Sequence, residues 1–136
     1  NKDILQKFNF LDVKNKFNKL DINDVGEDFW LFIRNNIDFF YECLEWRDII
    51  FSHTPNISKN PDLLKEAALL LPNDPYNINT WDEWIALIKD KTGLKGKDLF
   101  MPLRKALTGK DKGPELKYML PLLSKDKILQ KFGIIT

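Results

Sequence analysis

The stretch TWDEWIALIKDKTG, residues 80–93, decides the fold. Thr80 and Glu83 have the N-cap and N3 spacing of a capping box, Trp84, Ile85 and Ile88 recur on one helical face, and Gly93 stands where a left-handed residue ends a helix. The spacing predicts an amphipathic helix opened at Thr80-Trp81-Asp82-Glu83 and closed at Gly93. Upstream, Asn60, Pro61 and Asp62 read as N-cap, N1 and N2 of another helix. It runs through Leu63, Leu64, Ala67, Ala68 and Leu71 until Pro72 removes a donor, leaving a loop from Pro72 to Asn79. Further back, Asp24-Val25-Gly26-Glu27 has capping-box spacing, and Phe29, Ile33, Ile37, Phe40 and Leu44 recur at intervals of three and four as one core face.

Downstream, Gly96, Pro102, Gly109, Gly113, Pro114, Pro121 and Gly133 cut the chain into short helices. Pro102 is expected to open a helix at N1 that ends near Thr108-Gly109, Gly113-Pro114-Glu115 to open another, and Ser124 to cap the last one up to Gly133. No run alternates long enough to suggest a sheet, so the predicted class is all-α, a helical bundle. A polar connection from residue 52 to 61 suggests two small helical subdomains in tandem, 1–60 and 61–136, with one continuous bundle as the alternative.

The chain has 136 residues, 43% hydrophobic and 30% charged, enough to bury a core and too apolar for a disordered tail. No run approaches the ~18 apolar residues of a membrane span. Cys43 is the only cysteine, which excludes an intramolecular disulfide, and with His53 as the only histidine the usual Cys/His zinc site cannot form. The opening Asn1-Lys2-Asp3 has neither an initiator Met nor an apolar signal region, so a piece of a longer cytosolic, cytoplasmic protein is expected.

Net charge is +1, but it is unevenly spread: −2 over residues 1–60, −4 over 61–88 and +7 over 89–136. A basic module on an acidic body fits a polyanion partner. Short helices add many ends, whose unpaired N–H groups attract phosphates, and Lys95, Lys97, Arg104, Lys105, Lys110 and Lys112 surround them. That arrangement suits an irregular single-stranded loop better than a duplex groove.

No catalytic constellation emerges. Cys43 lies in an aromatic stretch and reads as a buried structural thiol, and His53 as a helix C-terminal cap. The carboxylate pairs Asp82/Glu83 and Glu42/Glu45 are explained by capping and by a helix surface. Gly93-Leu94-Lys95-Gly96-Lys97 lacks the spacing of a nucleotide-binding phosphate loop. Trp30, Trp46, Trp81 and Trp84 stand beside apolar periodic residues and read as core.

The run TGLKGKDLFMPLRKALTGKDKGPELKYMLPLLSKDKILQKF, residues 92–132, resembles the C-terminal anticodon-binding region of bacterial glutamyl-tRNA synthetases. Its Lys-Gly-Lys, Pro-Leu-Arg, Ala-Leu-Thr-Gly, Gly-Pro-Glu-Leu and Leu-Pro-Leu-Leu elements occur in the family's order. Phe29-Trp30-Leu31, Arg34, Asn36-Ile37 and the run Ala67 to Pro72 leading into Thr80-Trp81 extend the likeness to the alphaproteobacterial branch. The resemblance implies a parent, a class I glutamate–tRNA ligase, that uses ATP with Mg2+. The HIGH- and KMSKS-type motifs of its catalytic domain do not occur here, so this piece is expected to be non-catalytic, to hold no cofactor or metal, and to read the anticodon.

Carried over by motif, Arg104 forks onto a base in the first two anticodon positions, while Pro114 and Leu116 contact splayed bases. Thr108 anchors the helix end or reaches the RNA, and Arg34 matches an arginine sensing the third base. Lys95, Lys97, Lys105 and Lys110 are the expected phosphate contacts. The implied partner is tRNA(Glu), with tRNA(Gln) as a second substrate in some members, and neither DNA nor a membrane; a monomer is expected. The rival from the residues alone is a helical protein-interaction module without RNA specificity.

Overall fold

Where each helix starts and stops is set locally, by caps and breakers, and which face turns inward is set by burial. The computed structural model describes residues 10–19, 26–52, 55–56 and 60–135. Asp24, expected to cap a helix, and His53 lie outside the described residues. The elements are α1 (Phe10–Lys19), α2 (Glu27–Ile33), α3 (Glu42–Phe51), α4 (Pro61–Leu69), α5 (Thr80–Thr92) and α6 (Lys97–Thr108). They are followed by α7 (Leu116–Met119), a 3-10 turn (Leu120–Leu122) and α8 (Lys125–Lys131). Every regular element among the described residues is helical, and the chain is all-α.

The single stripe expected from Phe29 to Leu44 is divided between two helices. Phe29, Ile33 and Ile37 are buried, but Phe40 is only partly covered and Leu44 is exposed. After Ile33 the chain turns, and the Glu42 carboxylate accepts the backbone N–H groups of Asp38 at 2.6 Å and Phe39 at 2.9 Å. That turn resets the helical phase, so α3 buries Cys43, Trp46 and Ile50 instead of Leu44.

Asn60 caps α4 as the sequence predicts, its Oδ1 accepting the N–H of Leu63 at 3.2 Å with Pro61 in the first turn. Ser124 does the same for α8, accepting the N–H of Lys127 at 3.1 Å. The capping box expected at Thr80 does not form. Asn79 is the N-cap of α5, and the buried Thr80 hydroxyl accepts the N–H of Asn77 at 2.9 Å, tying down the preceding turn. Trp84, Ile85 and Ile88 are buried, and Trp84 Nε1 donates to the Ala67 carbonyl of α4 at 2.8 Å, so the indole is both packed and satisfied. Gly93 closes α5 at φ 72°.

Pro102 does not open a helix. It lies inside α6, which starts at Lys97 after Gly96 and ends at Thr108 before Gly109. An interior proline deletes one helical hydrogen bond and costs up to about 3 kcal/mol. Leu99, Leu103 and Leu107 are fully buried on either side of it, and at ~1.5–3 kcal/mol for each buried leucine the packing outweighs that cost.

Buried residues from Val13 to Phe132 form one cluster. α2 packs on α7, α4 on α5 and α6, α5 on α7, and α6 on α8. Asn56 pins the intervening chain to both ends of this layer, donating its side-chain amide to the Ala106 carbonyl at 2.7 Å and its backbone N–H to Lys131 O at 3.2 Å. Lys127 and Lys131 of α8 donate to the Phe51 and Ile49 carbonyls at the C-terminal end of α3, where the helix dipole favours a cation.

Candidate nucleic-acid interface

On α6, the buried Leu99, Leu103, Ala106 and Leu107 leave Phe100 and Arg104, four residues apart, partly exposed together. Arg104 Nη1 donates to the Pro114 carbonyl at 3.0 Å. Among the described residues it forms no ion pair, and partial burial lowers its pKa from the ordinary value without removing its charge. Pro114 and Leu116 are buried beside it. The structure thus brings together Arg104, Pro114 and Leu116, which the sequence singled out. The loop itself rests on Trp46, since a Cβ added at Gly113 would stand 2.5 Å from the indole Cη2 and 3.4 Å from Arg104 Nη1.

Two clefts flank this loop. One, of about 250 Å³, is lined by Trp81, Asp82, Phe100, Arg104, Glu115 and Lys117 among others. The other, of about 500 Å³, is lined by Leu31, Arg34, Asn35, Asn36, Glu115 and Tyr118 among others. Arg34 therefore shares a cleft with the Gly113–Glu115 loop although it is 79 positions upstream of Gly113. Its Nε is buried and has no hydrogen-bond partner among the described residues, while the half-buried side chain lines the cleft.

Trp30, Trp46 and Trp84 are core, as their periodicity predicts, whereas Trp81 is only partly covered and lines the first cleft. The Trp81 and Phe100 ring centroids are 6.3 Å apart, and Lys89 Nζ stands 5.5 Å from the Phe100 centroid. Aromatic faces beside guanidinium and ammonium groups can stack an unpaired base, hydrogen-bond its edge and hold its phosphate. Sequence reading missed Phe100, Glu115 and Lys117. The Phe100/Arg104 spacing of four was the available signal for the first; nothing local marks Glu115 as common to two clefts.

The remaining candidates are placed unequally. Thr108 is buried, donates its hydroxyl to the Arg104 carbonyl at 2.8 Å and accepts the Lys110 N–H at 3.0 Å, so it anchors the end of α6. Lys95 and Lys97 are exposed and form no ion pair with a described residue. Lys105 pairs with Asp111 at 3.1 Å, and Lys110 with Glu45. Cys43 is buried, and desolvation pushes its thiol up to about 12, which keeps it neutral. Among the described residues no group of three or more His, Cys, Asp or Glu is placed to hold a metal, and no helix is long and apolar enough to cross a membrane.

The family described as anticodon binding domain matches residues 32–133, a stretch containing Arg34, Arg104, Pro114 and Leu116. The chain belongs to that family. Among relatives of this anticodon binding domain, glutamate–tRNA ligase 1 of Ehrlichia ruminantium (strain Gardel) is 40% identical over 98% of the chain. Glutamate–tRNA ligase 1 of Parvibaculum lavamentivorans is 41% identical over 83% of it, and that of Rickettsia akari 38% over 96%. The chain spans 30%, 25% and 30% of those three proteins.

Proposed function

We propose that this anticodon binding domain reads the anticodon loop of tRNA(Glu) for a cytoplasmic glutamate–tRNA ligase, holding the tRNA so that its acceptor end reaches a distant active site. The observation that supports it most is the Arg104 guanidinium, fixed by one donor on the Pro114 carbonyl and lining an aromatic cleft. A guanidinium carries five donors, so one spent on positioning leaves others for a base edge. Arg34, lining the cleft across Glu115, is the second reader, and Lys95 and Lys97 supply the positive field, while Lys105 and Lys110, the other expected phosphate contacts, are engaged by Asp111 and Glu45. In this division of roles residues 1–60 lead toward the catalytic body and 61–136 carry most of the reading surface. ATP and Mg2+ are assigned to that body.

Fluorescence anisotropy with the tRNA(Glu) anticodon stem-loop, and with the first two anticodon bases changed, tests the reading at two salt concentrations. The expected outcome is preference for the unaltered loop, weakening as salt rises, with Arg104→Ala costing about 1–3 kcal/mol on that loop and little on the changed one. Equal binding of both loops by the wild-type protein would overturn base readout. A protein-interaction module is the second reading. It draws on Phe39 and Tyr41, exposed and stacked at 5.6 Å, and predicts a partner complex insensitive to salt.

A further inference from the structure

The basic residues of α6 and its flanks are not equivalent. At the N-terminal end, where the helix dipole is positive, Lys95 and Lys97 have no carboxylate partner among the described residues. There Gly96, Lys97, Phe100, Met101 and Arg104 line a shallow cleft of about 250 Å³. At the C-terminal end, where the dipole is negative, Lys105 is paired with Asp111 and Lys110 with Glu45, which is donated by α3 from the other half of the chain.

We infer that Glu45 and Asp111 are specificity-determining residues for RNA binding, acting as built-in competitors that occupy Lys110 and Lys105 and so shift phosphate contact toward the Lys95/Lys97 end of α6. The inference rests on the RNA-binding reading above. A phosphate reaching Lys105 or Lys110 must displace a carboxylate. The exchange of one anion for another leaves the lysine's charge balance unchanged, so it adds little to affinity or to counterion release. Freed lysines at that end would bind the backbone of any RNA, in registers that bypass Arg104. Holding them lowers sequence-independent binding more than cognate binding, and discrimination rises through weaker competitors.

The test compares the wild-type protein, E45Q/D111N and E83Q/D90N, the last making the same charge change at exposed carboxylates paired with no lysine among the described residues. Each is titrated against the cognate stem-loop, the base-changed stem-loop and a polyuridylate oligonucleotide over a range of salt. E45Q/D111N is expected to bind the base-changed loop and polyuridylate several-fold more tightly, and the cognate loop less than that. Its salt slope should steepen by about 0.7 for each freed lysine. Adding K105A/K110A to it should restore wild-type behaviour, and K105A/K110A alone should cost less than two-fold, against several-fold for K95A/K97A.

A gain as large from E83Q/D90N would overturn the inference. So would a loss from K105A/K110A alone equal to that from K95A/K97A, or no gain from E45Q/D111N on any RNA. Lack of anticodon preference in the wild-type protein would remove the base-reading function instead, and the polyuridylate titrations would still judge the two carboxylates.

Discussion

Arg104 has one donor on the Pro114 carbonyl at 3.0 Å, which makes Arg104→Lys more informative than a truncation. An ammonium keeps the charge and loses the planar fork. Anticodon discrimination should fall by about 1–3 kcal/mol while the salt slope stays unchanged, measured by anisotropy against both stem-loops. Lys131 carries a different prediction. It is buried against the Ile49 carbonyl with Lys127 one turn away, and desolvation, then repulsion from Lys127, lowers its pKa from 10.5 to about 8. Glu45 and Asp48 line a cleft together with Lys131 without forming an ion pair with it. Below pH 8 both the folded and unfolded chains hold the proton, and between about 8 and 10.5 only the unfolded chain does, so this residue makes stability rise with pH through that window. Urea unfolding of Lys131→Met at pH 7 and pH 9.5 should show a smaller rise than the wild-type protein, by on the order of 2 kcal/mol. An equal rise in both proteins would place the titrating group elsewhere. Arg104, Pro114 and Leu116 were legible in the sequence because a motif names them; Lys131 was not, since nothing in its neighbourhood marks a lysine for burial.

At the scale of the element, Asn60 and Ser124 each cap a helix by accepting the N–H three residues ahead, a bond written wholly in the local sequence. Ser124→Ala removes the acceptor for the Lys127 N–H at the start of α8 and should cost about 1 kcal/mol, read as a lower urea midpoint with unchanged m-value. Asn60 and Ser124 were legible for that reason, as were Gly93 and Gly109, both at positive φ after a helix. Pro102 differs from its expected place because tertiary packing overrode the local signal, the buried leucines around it carrying it inside α6, whereas at Thr80 a second local bond won, its hydroxyl accepting the N–H of Asn77 three residues before it instead of that of Glu83 three residues after. The break between α2 and α3 escaped periodicity because no Gly or Pro marks it; the Glu42 carboxylate makes the turn by accepting two N–H groups ahead of its own helix.

At the scale of the molecule, Gly113 couples the two halves, since it lets the loop whose Pro114 carbonyl holds Arg104 lie on Trp46 of α3. Gly113→Ala would put a Cβ 2.5 Å from the indole, so either the loop or the tryptophan must move. The expected result is a lower melting temperature, with a loss of stability of about 1–3 kcal/mol, and weaker binding of the cognate stem-loop with no change in salt slope. Unchanged stability and binding would show that Trp46 yields freely. The sequence by itself determined the all-α class, the starts of α4 and α8, the ends of α5 and α6 and the membership of the Arg104, Pro114 and Leu116 group, because helical period, capping and motif spacing are written in residues a few positions apart. Only the tertiary structure decided that Arg34 shares a cleft with Glu115, that Trp81 lines the site while the other tryptophans do not, and that Glu45 meets Lys110. Those pairings join residues far apart in the chain, and they follow from how the helices pack, which no local pattern encodes.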